Sequence, residues 1–158
     1  MSRVKVSTWA EYGLCVKDIL IVMRPVDQPQ NINPKELAPA SGFSHATVAG
    51  DMVWLGGQIG SDATGRVDEP GNIVAQFARA ISNVSIALRA AGSTPADTVK
   101  LTYYVTDLKA YKANLQAIGS AYREVFDRHF PATTLVEVSS LFDPDALVEI
   151  EAVAIRRS

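Results

Sequence analysis

After residue 30 the apolar positions fall into two rhythms, one of period two and one of period three to four, and glycine, asparagine, aspartate or proline marks each change. Residues Ser44–Ala49 and Met52–Ile59 carry the first rhythm and flank Gly50-Asp51, a pair suited to a two-residue turn, so a β-hairpin is predicted. The stretch GSDATGRVDEPGN that follows is dense in turn formers. Ile73, Phe77, Ile81, Val84, Leu88 and Ala91 then recur at intervals of 4, 4, 3, 4 and 3, the apolar stripe of one helix. Asn72 is placed to cap its start and Gly92 its end. Val99–Thr106 predicts a strand, and Asp107 heads a second helix whose stripe is Leu108, Tyr111, Leu115, Ile118, Tyr122 and Val125. Two last strands are expected over Thr133–Ser140 and Leu147–Arg156, on either side of the turn FDPDA.

The order β-β-α-β-α-β-β describes an α+β domain over residues 31–158, with two helices covering one face of a sheet. The uncovered face is apolar as well. In the last strand Leu147, Val153 and Ile155 alternate with Val148, Ile150 and Ala152, so both sides carry apolar groups and the chain is expected to associate with copies of itself. Residues 1–30 differ from the rest. Pro25, Pro29 and the string DQPQN close them off as an extension, with an edge strand expected at Ile19–Val22 and helix as the alternative.

Composition narrows the function classes. A hydrophobic fraction of 47% with 20% charged residues fits a soluble domain, and a net charge of −2 gives no reason to expect nucleic acid or an anionic membrane as partner. The apolar run from Leu14 to Met23 is broken by Lys17 and Asp18 and is too short to span a bilayer, which leaves a cytoplasmic location as the default. The single Cys15 reads as a packing residue.

Candidate chemistry is sparse. Glu149 and Glu151 are two apart on one strand and share its non-helix face, where partial shielding would raise a carboxyl pKa and suit it to acid–base work. Solvation or pairing with Arg156 or Arg157 is the competing reading. Only two histidines occur, His45 and His129, with no cysteine or second histidine nearby, so no metal site is expected. GGQIG sits in a hairpin and lacks the strand–loop–helix setting of a dinucleotide site. From the residues alone, the site is a small apolar cleft with one or two carboxylates.

Five stretches in order, SHATVAGDMVWLGGQIG, QFARAISNVSIALRAAGS, VKLTYYVTDL, FPATTLVEVSSL and VEIEAVAIRR, give the chain a resemblance to the Rid (YjgF) family of reactive-intermediate deaminases, also labelled L-PSP-type endoribonucleases. The resemblance implies a chorismate-mutase-like fold, a homotrimer with a closed central barrel, and a small-molecule cleft between subunits. It also implies cofactor-free hydrolysis of 2-imino acids or enamines, with an arginine on the substrate carboxylate and a glutamate on the attacking water. Matched residue by residue, Glu149 falls on the catalytic glutamate, Gly57 and Gln58 on a Gly-Gln pair, and Asn83 on a helix asparagine. Asn114 falls near the asparagine of the second helix. The chain departs from the pattern at three places: Thr133 stands where the arginine is expected, Phe43 at a tyrosine and Gly56 at a serine. Leu135, beyond Thr133 on the same strand, completes the expected substrate-binding set.

A neutral hydroxyl cannot make the paired contact of a guanidinium with a carboxylate. Two readings follow. One is a hydrolase or deaminase of a small imine-, enamine- or aminomuconate-like metabolite, with Glu149 handling water. The other is a non-catalytic trimer that binds a metabolite or a partner. A ribonuclease, the older family label, is opposed by the acidic balance and by the lack of a basic groove. Arg3, Lys5, Lys17 and Arg24 of the extension are further candidate cations for the cleft.

Overall fold

The computed structural model describes residues 28–67 and 69–156. The edge strand expected at Ile19–Val22, Cys15 and the four cations of the extension lie outside them.

Six strands form one mixed sheet in the order β1-β2-β3-β6-β4-β5. They are β1 Gln30–Ile32, β2 Ala46–Ala49, β3 Met52–Ile59, β4 Thr98–Val105, β5 Ala132–Glu137 and β6 Val148–Ile155. The hairpin is as predicted: Ala49 pairs with Met52, and Gly50 takes a φ of 57° as the first of two turn residues. β6 runs antiparallel between β3 and β4, and β5 joins β4 in parallel at the far edge.

Helix α1, Ile73–Ala90, buries its predicted stripe against the sheet, and Phe77, Ile81, Val84 and Leu88 are almost wholly enclosed. Asn72 caps it by accepting the Ala75 N–H, 3.1 Å. Gly92, at φ 77°, ends it with paired bonds from Ser93 N to Leu88 O and from Gly92 N to Arg89 O, the Schellman arrangement. Leu101, Tyr103 and Val105 of β4 meet Ile150, Ala152 and Ala154 of β6 under the helices.

Two expectations need correction. The second helix is two: α2, Leu108–Ala113, and α3, Leu115–Phe126. The Asn114 amide donates to Ala110 O at 2.9 Å, so its side chain serves the turn where the axis breaks. Beyond the break Leu115 is exposed, although the stripe had placed it in the core. The element order also gains β1, which pairs with β2 and begins at Gln30, the last residue assigned to the extension. Its three residues offer only Ile32 to the core, too little for periodicity to register.

The uncovered face carries what alternation assigned to it. Glu149, Glu151, Val153 and Ile155 of β6 lie there, flanked by Trp54 on one side and by Thr102 and Tyr104 on the other. Trp54, Val136 and Ile155 are exposed.

Candidate functional site

Register changes once along β3. Leu55 pairs with Ala152 and Gln58 with Ile150, so three steps on β3 match two on β6, and Gly56-Gly57 forms a bulge. The glycines are required by what presses on them. A Cβ on Gly56 would lie 2.9 Å from Ser44 O, and one on Gly57 would fall inside the Glu149 carboxylate. The bulge is thus the bed on which Glu149 lies.

Around it opens a cavity of about 430 Å³, lined by Phe43, His45, Gly56, Gly57, Gln58, Phe142 and Glu149 among others. Phe43, Gly56, Gly57 and Glu149, predicted separately, therefore share one site. Among the described residues no lysine or arginine lines it. Burial pushes the Glu149 carboxyl above its ordinary value, and the negative charge of Glu151 adds to the push. Glu151 itself accepts from the Tyr104 hydroxyl at 3.0 Å.

His45 went unnoticed as a site residue because a histidine early in a strand is unremarkable. It is buried in the cavity wall, with Nε2 2.8 Å from Ala38 O and Nδ1 3.2 Å from Gln58 Oε1. Gln58 in turn donates to Gly56 O at 2.9 Å, tying histidine, glutamine and bulge together. The Phe43 ring meets the imidazole edge-on at 5.3 Å. Asn83 lies behind the site and donates to Ile59 O and Ser61 O at 3.0 and 2.9 Å, fixing the end of β3.

Thr133 and Leu135 are elsewhere. They pair with Leu101 and Tyr103, on the helix face of the sheet, whereas Glu149 pairs with Tyr104 on the opposite face. Thr133 lines a second pocket of about 260 Å³ between α3 and β5, with Tyr103, Tyr111, Leu115, Tyr122, Arg123 and Phe130. Its hydroxyl donates to Pro131 O at 2.9 Å. Asn114 lines neither pocket. Within one chain the candidate residues thus fall into two separate groups. Among the described residues no cluster of histidine, cysteine or carboxylate side chains could hold a metal ion.

A profile of the Endoribonuclease L-PSP family matches residues 33–156. A RutC family protein of Haemophilus influenzae is 38% identical over 125 residues, covering 77% of this chain and 94% of its own. A protein of Escherichia coli strain K12 named 2-iminobutanoate/2-iminopropanoate deaminase is 37% identical over 128 residues, covering 77% and 94%. Among solved structures, the yjgF gene product of E. coli superposes with a TM-score of 0.70 at 33% identity, over 81% of this chain and 99% of its own. RidA of an Antarctic Psychrobacter gives 0.70 at 26%, over 80% and 98%.

Proposed function

The chain belongs to the Endoribonuclease L-PSP family, and from that premise we propose that it hydrolyses a small imine, enamine or amino-dienoate without a cofactor. The observation that carries this reading is Glu149, a carboxylate laid on bare glycine at the wall of a largely apolar cavity, with its proton affinity raised. Water adds to the carbon of a C=N bond while Glu149 accepts its proton. The proton passes to nitrogen and gives a carbinolamine; its hydroxyl proton then moves to nitrogen by way of Glu149, the C–N bond breaks, and a carbonyl compound and ammonia leave. Such a step needs only a base of suitable pKa and a site that shields the intermediate.

The reaction cleft, on this reading, is closed by a second copy of the chain, most simply in a homotrimer. Each half-site has an apolar rim that no described residue covers: Phe43 and Phe142 at the first pocket, Leu115 and Phe130 at the second. β5 is also an open sheet edge with mostly exposed side chains, a surface that proteins ordinarily cover.

The test is ammonia release from 2-iminopropanoate, enamines and amino-dienoates, measured for the wild type and Glu149→Gln. Turnover that falls about 10²-fold or more in the variant supports the assignment. Turnover indifferent to Glu149, or none on any compound, sinks it. One observation favours a second reading, a binding protein without turnover: among the described residues no lysine or arginine accompanies Glu149 in its cavity. Ligands that raise the melting temperature without being consumed would establish that alternative.

A further inference from the structure

We propose that the pocket between α3 and β5 receives the carboxylate end of a small acid with a flat apolar body, and that Arg123 is the specificity-determining residue that grips it. The inference rests on the deaminase reading only in taking that acid as the substrate; its own observations lie in this pocket.

The walls are aromatic. Phe77 meets Tyr103 edge-on at 5.5 Å and Tyr111 at 6.1 Å, while Tyr122 stacks on Phe130 at 5.6 Å with their planes only 9° apart. Such surfaces accept a planar ligand body. Of the polar groups, the Tyr122 and Thr133 hydroxyls already donate to His129 O and Pro131 O, which leaves the Tyr103 and Tyr111 hydroxyls and Arg123 as the donors a ligand could use. Tyr103 and Tyr111 are 6% and 7% exposed and line the pocket, yet neither hydroxyl has a hydrogen-bond partner among the described residues. Burial holds both phenols neutral, and the nearby Tyr122 and Tyr111 rings add to the effect on Tyr103. Neither hydroxyl oxygen is fully enclosed, since Thr98 Oγ1 is the one enclosed side-chain oxygen without a partner among the described residues; both open into the pocket, where an occupant can accept from them.

Arg123 supplies the charge. It lines the pocket at its open end, and its guanidinium lies along the Gly119 backbone, where an added Cβ would be 3.5 Å from Nη1. Its recorded hydrogen bond is to a neutral group, Ser120 Oγ at 3.3 Å. No carboxylate pairs with it among the described residues. An arginine that lines a pocket with aromatic walls and two open tyrosine hydroxyls, with no carboxylate paired to it among the described residues, fits an organic anion. Thr133, in the same pocket, is neutral and its hydroxyl proton is already given to Pro131 O. Arg123 also stands in the last turn of α3, where a positive charge suits the helix dipole. The test must separate that role from ligand binding.

The probes are benzoate and its neutral isostere benzamide, titrated against the full chain by NMR or calorimetry. Benzoate is expected to bind at least tenfold tighter than benzamide. Arg123→Gln should weaken benzoate at least tenfold and leave benzamide within twofold, with Arg123→Lys in between. Equal affinity for the two probes, no binding of benzoate, or a benzoate affinity within twofold in Arg123→Gln overturns the proposal. A helix-dipole role alone would lower the melting temperature of Arg123→Gln without touching the benzoate constant, and that outcome overturns it too. Glu149→Gln makes the two readings distinguishable. Arg123-dependent benzoate binding in a protein without turnover upholds the acid pocket and removes the deaminase. Glu149-dependent turnover unaffected by Arg123→Gln removes the acid pocket and leaves the deaminase.

Discussion

Glu149 and Gly57 form a pair in which each side chain, or its absence, explains the other. Gly57→Ala would set a methyl group where the carboxylate now lies, and because Glu149 is flexible and only partly enclosed, it should swing aside without unfolding the chain. We expect Gly57→Ala to lower turnover about 10²-fold, comparable to losing the base, with a stability change of only about 1 kcal/mol by urea titration. A full loss of fold, or unaltered turnover, would contradict the pairing. Titration offers a second check. The Glu149 carboxyl is held above its usual 4.5, so folding favours its protonated form. That contribution is complete below 4.5 and disappears as pH rises through the folded value. Glu149→Gln lacks it. Melting temperatures of wild type and variant should converge at low pH, and the variant should gain relative to the wild type towards neutrality; parallel curves across the range would rule this out. Some of this was legible beforehand. The alternation in VEIEA put Glu149 on the uncovered face, but nothing in it revealed that the carboxylate would rest on a bulge. Arg123 was invisible for a different reason: a lone arginine on a helix reads as solvated surface unless the facing strand is known.

Elements followed the sequence wherever a local signal was strong enough to act alone. α1 has a stripe of six apolar positions, a capping asparagine and a terminating glycine, and each acts as its chemistry predicts. Asn72→Ala should therefore cost about 1 kcal/mol of stability in urea unfolding, and Asn72→Asp or Asn72→Ser much less. An Asn72→Ala protein as stable as the wild type would show that the cap is dispensable. The break at Asn114 escaped because Tyr111 and Leu115 keep helical spacing across it; an asparagine amide turned back onto the preceding carbonyl leaves no mark on hydrophobic periodicity. β1 escaped because its pairing with β2 is a tertiary event, and three residues with one apolar side chain carry no period.

At the scale of the molecule, one feature remains unbalanced: a sheet whose far face displays Trp54, Val136 and Ile155 beside Glu149 and Glu151. Exposed apolar groups in that number on one face are the ground for the proposed association. Light scattering should give a multiple of the 17.0 kDa chain, three being the expected number. Trp54→Glu, which adds charge beside the strand carrying both glutamates, should shift the protein towards monomer and abolish turnover while leaving the helix content by circular dichroism unchanged. A monomeric wild type with full activity would remove the shared cleft. The expectation of association comes from the doubly apolar last strand. That Thr133 and Glu149 lie on opposite faces was not legible, since residue spacing says nothing about which face Thr133 takes until its neighbour in the sheet is known.

The extra residue in β3 has a consequence for how this chain can change. Deleting one glycine from the pair would not merely shorten a strand. It would leave two steps on β3 facing two on β6, so Gln58 would still turn inward, but the bulge on which Glu149 lies would be gone. The extra residue serves the carboxylate and not the core: its loss would keep the strand's packing and take away the bed beneath Glu149.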